Sequence, residues 1–192
     1  VFSDADRGTP HVLFADKAMH IGPSLAAQSY LNIEGIIEAA RKTGADAVHP
    51  GYGFLAENAD FAKACADAGL IFVGPAVEAI ELMGNKRQSK IRMLEAGVPC
   101  VPGYSGEDQS DDTLVREGND IGFPLMVKAA AGGGGRGMRL VTAATDLPAA
   151  LASARSEALS AFASDELILE KAIVRPRHVE VQVFADTHGN TV

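Results

Sequence analysis

A chain of 192 residues that is 47% hydrophobic and 22% charged has the composition of a globular protein with room for one large domain or two small ones. Its net charge of −8 argues against a general nucleic-acid binder, which needs a basic face. No apolar stretch approaches the roughly 20 residues that cross a bilayer, so neither a membrane nor a nucleic acid is expected as a partner.

In chain order, Val1-Phe2-Ser3 reads as the tail of a strand entering the turn Asp4–Gly8. From Asn32 the apolar positions Ile33, Ile36, Ile37 and Ala40 fall at i, i+3, i+4 and i+7, which predicts an amphipathic helix ending near Gly44. Ala47-Val48 predicts a short strand before the glycine-containing loop 49–57. Asn58 is placed to cap a helix with Phe61, Cys65 and Ala68 on its inner stripe, stopped by Gly69. Leu70-Ile71-Phe72-Val73 reads as a strand buried on both faces. Strand, helix, strand, helix, strand over this stretch implies an α/β layer with a parallel sheet, whose strand-end loops face the site.

Helices are predicted over Val77–Met83 and about Lys86–Ala96, closed by Gly97 and the prolines Pro99 and Pro102, a domain boundary. Beyond it come a strand at 125–128, a glycine loop, a strand at 138–141, a helix at about 146–163 and a strand at 166–170. That order describes an α+β module. Leu147, Leu151, Ala154 and Ala158 share the helix face that should lie on its sheet. Val179, Val181 and Val183 alternate with Glu180 and Gln182, which predicts a half-buried strand opening a third unit. Both ends look cut through secondary structure, and a fragment is expected.

The chemistry concentrates in Lys128 and the segment after it, Ala129–Met138, which holds Gly132, Gly133, Gly134, Gly135, Arg136 and Gly137. A strand ending in lysine, a glycine loop and a return strand make a hairpin whose tip can close over a polyphosphate. Glycine lets successive backbone N–H groups point at one anion, and the lysine adds a point charge at the root. Strand-forming residues at both ends, and Arg rather than Ser within, argue against a flexible linker. No Gly-Lys-Ser/Thr follows, so it is not a Walker loop; a strand follows, so it is not the dinucleotide fingerprint.

The cations Lys86, Arg87, Lys90 and Arg92 suit a small polyanion or, more plainly, a solvated helix face. Glu170-Lys171 at a strand end could let backbone there read an adenine edge, or could be an exposed ion pair. Cys65 and Cys100 sit in apolar contexts with no CxxC, so buried, reduced thiols are expected in a cytoplasmic compartment or a mitochondrial matrix.

Several segments together resemble the ATP-grasp enzymes: Met83-Gly84-Asn85-Lys86, the Lys128 strand with Gly132–Gly137, Leu169-Glu170-Lys171, and Arg175–Gln182. His49-Pro50-Gly51-Tyr52-Gly53-Phe54-Leu55-Ala56-Glu57-Asn58 resembles the signature of biotin carboxylases. Gly103–Asp111 is most similar to the α subunits of methylcrotonyl-CoA and geranyl-CoA carboxylases.

The resemblance implies an α/β fold: an N-terminal Rossmann-like, pre-ATP-grasp layer, an α+β ATP-grasp lid, and the start of a third α+β unit. It implies an N-terminal domain over 1–74, connecting helices over 75–100, the lid over 101–172 and the beginning of a C-terminal domain over 173–192. It implies an ATP-dependent ligase that uses ATP, Mg2+ and bicarbonate to form carboxyphosphate, whose CO2 is captured by biotin.

By the same resemblance Lys86 and Lys128 hold the phosphates under Gly133, Gly134, Gly135 and Gly137, and Glu170, Lys171, Ala172 and Ile173 frame the adenine. His178 contacts nucleotide, and Tyr52 and Gly53 lie near biotin. Ala131 and Ala56 stand where relatives often have Gly and Ser. No catalytic residue and no magnesium ligand is expected within these residues, so the piece alone should be inactive. A biotin carrier domain and a carboxyltransferase β subunit are the implied partners, in an oligomer. The alternatives are another ATP-grasp carboxylate-amine ligase and a non-catalytic nucleotide-binding module.

Overall fold

The structure, a computed structural model, describes residues 1–132 and 137–192. It divides into two units. The first holds residues 1–100 with 130–132, and the second holds 101–129 with 137–192.

In the first unit β1 (Phe2–Ser3) leads through α1 (Pro10–Phe14) to β2 (His20–Gly22), and the two strands pair in parallel. Next come α2 (Ile33–Thr43), β3 (Ala47–Val48), α3 (Ala59–Asp67) and β4 (Ile71–Phe72), with β4 parallel to β3. The parallel layer expected from the sequence is present as two separate two-stranded pairs.

Both central helices start where an asparagine can cap them. Asn32 Oδ1 accepts from Gly35 N–H at 3.1 Å, and Asn58 Oδ1 accepts from Phe61 N–H at 2.7 Å. Gly44 ends α2 at φ 68°, where a side chain would cost energy. The inner stripes meet in a core that includes Ile36, Ile37, Leu55, Phe61, Cys65 and Leu70. Ala68 packs only partly against it.

The stretch 70–73 is not buried on both faces. Leu70 is 8% exposed, but Ile71 is 65% and Val73 46% exposed. Successive strand residues face opposite ways. Leu70 and Phe72 turn to the core, where Phe72 meets Phe61 edge-on at 5.9 Å, and their neighbours turn outward. After β4 come α4 (Val77–Gly84) and α5 (Lys86–Glu95), the latter capped by Asn85 Oδ1 accepting from Gln88 N–H at 3.0 Å.

The second unit is a four-stranded antiparallel sheet backed by two helices. Its elements are β5 (Gly103–Tyr104), α6 (Asp111–Ile121), β6 (Leu125–Ala129), β7 (Met138–Val141), α7 (Leu147–Phe162) and β8 (Leu167–Lys171). The strand order is β5-β8-β6-β7. On α7 the buried residues are Leu147, Leu151, Ala154 and Ala158, the face expected from spacing. Each leucine there contributes about 2 kcal/mol of burial.

Helix α6 and strand β5 were not expected. The helix is sparse in apolar residues, yet Leu114 is fully buried. At Gly118 a Cβ would lie 2.5 Å from Leu147 Cδ2, so α6 packs on α7 across a glycine. The legible signal was Ser110-Asp111-Asp112-Thr113, in which Ser110 Oγ accepts from Thr113 N–H at 3.3 Å with two acids in the first turn.

The strand expected from Val179 does not form. Val179, Val181 and Val183 are 75%, 83% and 58% exposed, and the segment's one recorded pairing is the bridge Ala185–Thr191. Alternation alone cannot hold a strand without a neighbour to complete its hydrogen-bond ladder.

Candidate nucleotide site

The part of the site in the second unit is built from β6, β8 and the loop foot at Gly137. Leu125, Val127 and Ala129 are buried in alternation with the half-buried Met126 and Lys128. Lys128 lies opposite Ile168 in the antiparallel register, and Glu170 lies opposite Met126. Lys128 and Glu170 are therefore diagonal neighbours on one face, within reach of a long side chain. Lys128 Nζ donates to Glu170 Oε2 at 2.5 Å, with the side chains 24% and 15% exposed. A charge-assisted bond this sheltered fixes the ammonium at the root of the glycine loop.

Glu170 and Lys171 do not pair with each other. They are adjacent in a strand and face opposite ways. Lys171 Nζ instead donates to the Phe123 carbonyl at 3.0 Å. Its backbone N–H donates to Pro102 O at 2.8 Å, and Ala172 N–H donates to Pro124 O at 3.0 Å. Both amide donors at this strand end are thus engaged, while Ile173 stands 59% exposed just beyond.

The loop is defined at both feet. In the first unit Lys86 N–H donates to Ala130 O at 2.8 Å, and Asn85 bridges Ala131. Lys86 Nζ donates to the carbonyls of Ala131 and Gly132. In the second unit Ala129 N–H donates to Gly137 O at 3.0 Å. Gly137 sits at φ 66°, and a Cβ there would lie 2.8 Å from that of Ala129. Backbone, not side chain, fills this foot of the loop. Gly133, Gly134, Gly135 and Arg136 lie outside the described residues.

The remaining expected residues lie elsewhere. His178 is in the exposed segment after β8, and its Nε2 pairs with Glu180 at 3.0 Å. In the first unit Tyr52 is fully exposed, and Gly53, at φ 77°, accepts from Ala56 N–H at 2.9 Å. The cation cluster on α5 is not a uniformly solvated face, since Lys90 is only 8% exposed. Cys65 is buried, which pushes its thiol pKa up, whereas Cys100 is half-exposed. Among the described residues no three His, Cys, Asp or Glu side chains converge to hold a metal, and no helix is long and apolar enough to cross a membrane. Both ends of the Lys128–Glu170 bond are legible in the sequence but the bond is not, because the β6–β8 register that makes them diagonal is a long-range pairing.

The family model "Biotin carboxylase, N-terminal domain" matches residues 1–80, and "Carbamoyl-phosphate synthase L chain, ATP binding domain" matches residues 85–192. This chain belongs to the biotin carboxylase family. It is 50% identical over its whole length to the mitochondrial methylcrotonoyl-CoA carboxylase subunit alpha of Dictyostelium discoideum, and covers 28% of that protein. It is 51% identical to the biotin carboxylase of Haemophilus influenzae, covering 43% of it. The chain thus spans less than half the length of the relatives it matches.

Among solved structures, a Campylobacter jejuni biotin carboxylase-beta-gamma-ATP complex superposes with a TM-score of 0.94 at 46% identity, over 100% of this chain and 43% of that one. The biotin carboxylase domain of Hydrogenobacter thermophilus 2-oxoglutarate carboxylase, in complex with MgADP, ADP and bicarbonate, superposes at 0.91 and 43% identity. That match covers 99% of this chain and 42% of the other.

Proposed function

We propose that this chain is the ATP-binding part of a biotin carboxylase, and that the whole protein carboxylates biotin with ATP and bicarbonate within an acyl-CoA carboxylase. The observation that carries the reading is Lys128, held at 2.5 Å by Glu170 beside a loop whose feet demand bare backbone at Gly132 and Gly137. Phosphoryl transfer builds and moves negative charge, so it needs fixed cations and backbone donors more than covalent chemistry.

In this reading Lys128 turns its ammonium to the phosphates while Glu170 keeps it oriented. Lys86 adds a second phosphate-binding cation, and Gly133, Gly134, Gly135 and Gly137 are assigned to binding the phosphates. Ala172 and Ile173 flank the adenine, with Lys171 securing the strand end through Phe123. His178 is assigned as a nucleotide contact. Tyr52 and Gly53 face biotin. Magnesium, when bound, neutralises phosphate charge, and its ligands are assigned to none of these residues. The 192 residues alone are proposed to be without turnover. The methylcrotonyl-CoA type, a biotin carrier domain and a carboxyltransferase β subunit are proposed from the α-subunit relatives, which include the mouse subunit at 52% identity.

Phosphate release by the full-length carboxylase, assayed with ATP, magnesium and bicarbonate, is expected to rise on adding free biotin. No rise would remove the biotin reading. Nucleotide binding without any hydrolysis would favour the non-catalytic module. The match of residues 1–80 to the biotin carboxylase N-terminal domain favours this branch over other ATP-grasp ligases.

A further inference from the structure

Asp6, Tyr30 and Phe54 form a chain of contacts in the first unit that nucleotide binding does not use. Each residue comes from a different connection: Asp6 follows β1, Tyr30 lies between β2 and α2, and Phe54 lies between β3 and α3. All three connections leave the carboxyl ends of parallel strands, the edge at which open α/β sheets bind ligands.

The Tyr30 hydroxyl donates to Asp6 Oδ2 at 2.5 Å and accepts from Ser3 N–H at 3.0 Å. Ser3 Oγ donates to the same Asp6 oxygen at 2.7 Å. The Tyr30 ring stacks on Phe54 at 5.1 Å between centroids and 21° between planes. Phe54 sits at φ 46°, a backbone conformation that a bulky residue holds only when its surroundings impose it. Next to it Leu55 is buried, and Asn58 N–H donates to Leu55 O at 3.1 Å. The turn that follows Tyr52 is thus held from below by Leu55 and from the side by Tyr30.

We propose that Tyr30 is a positioning residue, which through its stack on Phe54 and its hydroxyl bond to Asp6 sets the conformation of loop 49–57 and so presents Tyr52 and Gly53 to substrate. The substrate half of this inference rests on the biotin-side reading above; the positioning half does not. Hydrogen bonds from Tyr30 and Ser3 hold the Asp6 carboxyl below its ordinary range, and burial with the Asp6 bond pushes the Tyr30 phenol up. Near neutral pH the carboxylate accepts and the phenol donates, so the link does not switch across the physiological range.

Tyr30→Phe keeps the ring and removes the hydroxyl, while Tyr30→Leu removes both. Hydrogen exchange on this chain should show the Ala56 and Asn58 amides exchanging at least about fivefold faster in Tyr30→Phe, which removes the hydroxyl's bonds to Asp6 and Ser3, and faster still in Tyr30→Leu. Amides within α2 should be unchanged. In the full-length carboxylase, Tyr30→Phe should raise the KM for free biotin by about the same factor and leave the KM for ATP alone. Equal exchange in wild type and both variants would overturn the positioning role, as would parallel rises in both KM values. A wild-type enzyme indifferent to biotin would refute the substrate half, with the exchange result still deciding the other.

Discussion

Replacing Gly137 by alanine perturbs the second foot of the loop with a single methyl group. At φ 66° the left-handed backbone costs an L-residue about 1–2 kcal/mol. The new Cβ would also lie 2.8 Å from Ala129 Cβ, which is 1% exposed and cannot swing aside as a flexible side-chain tip would. Overpacking of that kind adds about 1–3 kcal/mol, for a total of about 2–5 kcal/mol. Because two units need not unfold together, the local readout is native-state hydrogen exchange at the β6 amides, above all Ala129 N–H, which bonds Gly137 O. Protection there should fall by about 30-fold or more. Adding Ala129→Gly removes the opposing methyl and should restore the steric part but not the backbone part. Unchanged protection in Gly137→Ala, or no gain from the second change, would refute the close approach.

Other outcomes follow from the same packing. Leu151→Ala empties a fully buried position on α7 and should cost about 2–5 kcal/mol in urea unfolding of the second unit. Asn58→Ala removes the cap on Phe61 N–H and should cost about 1 kcal/mol, read as lost helicity and a lower unfolding midpoint. Hydrogen bonds from the Thr113 hydroxyl and Ser110 hold Asp108 at about 2, below its ordinary 3.8. A depressed carboxyl stabilises the fold above the unfolded pKa, and that contribution is lost as pH falls through the folded one. Thermal midpoints of the wild type should therefore drop between pH 3.8 and about 2, and Asp108→Asn should flatten that limb.

Helices with dense stripes were legible from spacing alone. The face of α7 buried all the residues its periodicity named, because a period of 3.6 leaves few ways to hide a dense apolar stripe. That of α2 buried Ile36, Ile37 and Ala40, while Ile33 at its first turn is only partly covered. Helix α6 was not legible, since its packing depends on Gly118 as much as on Leu114. At β4 and over 179–183 the sequence gives apolar content but not the number of neighbours. One strand is covered on a single face, and the other segment has no ladder. In the candidate site Lys128 was found from its place between a strand and a glycine loop. Its bond to Glu170 and the Tyr30 stack on Phe54 join residues 42 and 24 positions apart, which no local pattern encodes.

The claim that Lys128 and its loop clamp a polyphosphate is tested most directly by calorimetric titration of this chain with ATP and magnesium. Wild type should bind, Lys128→Ala should lose that binding, and Lys42→Ala, which removes an exposed lysine paired with Glu38, should bind as wild type does. Equal affinities for wild type and Lys128→Ala would contradict the account.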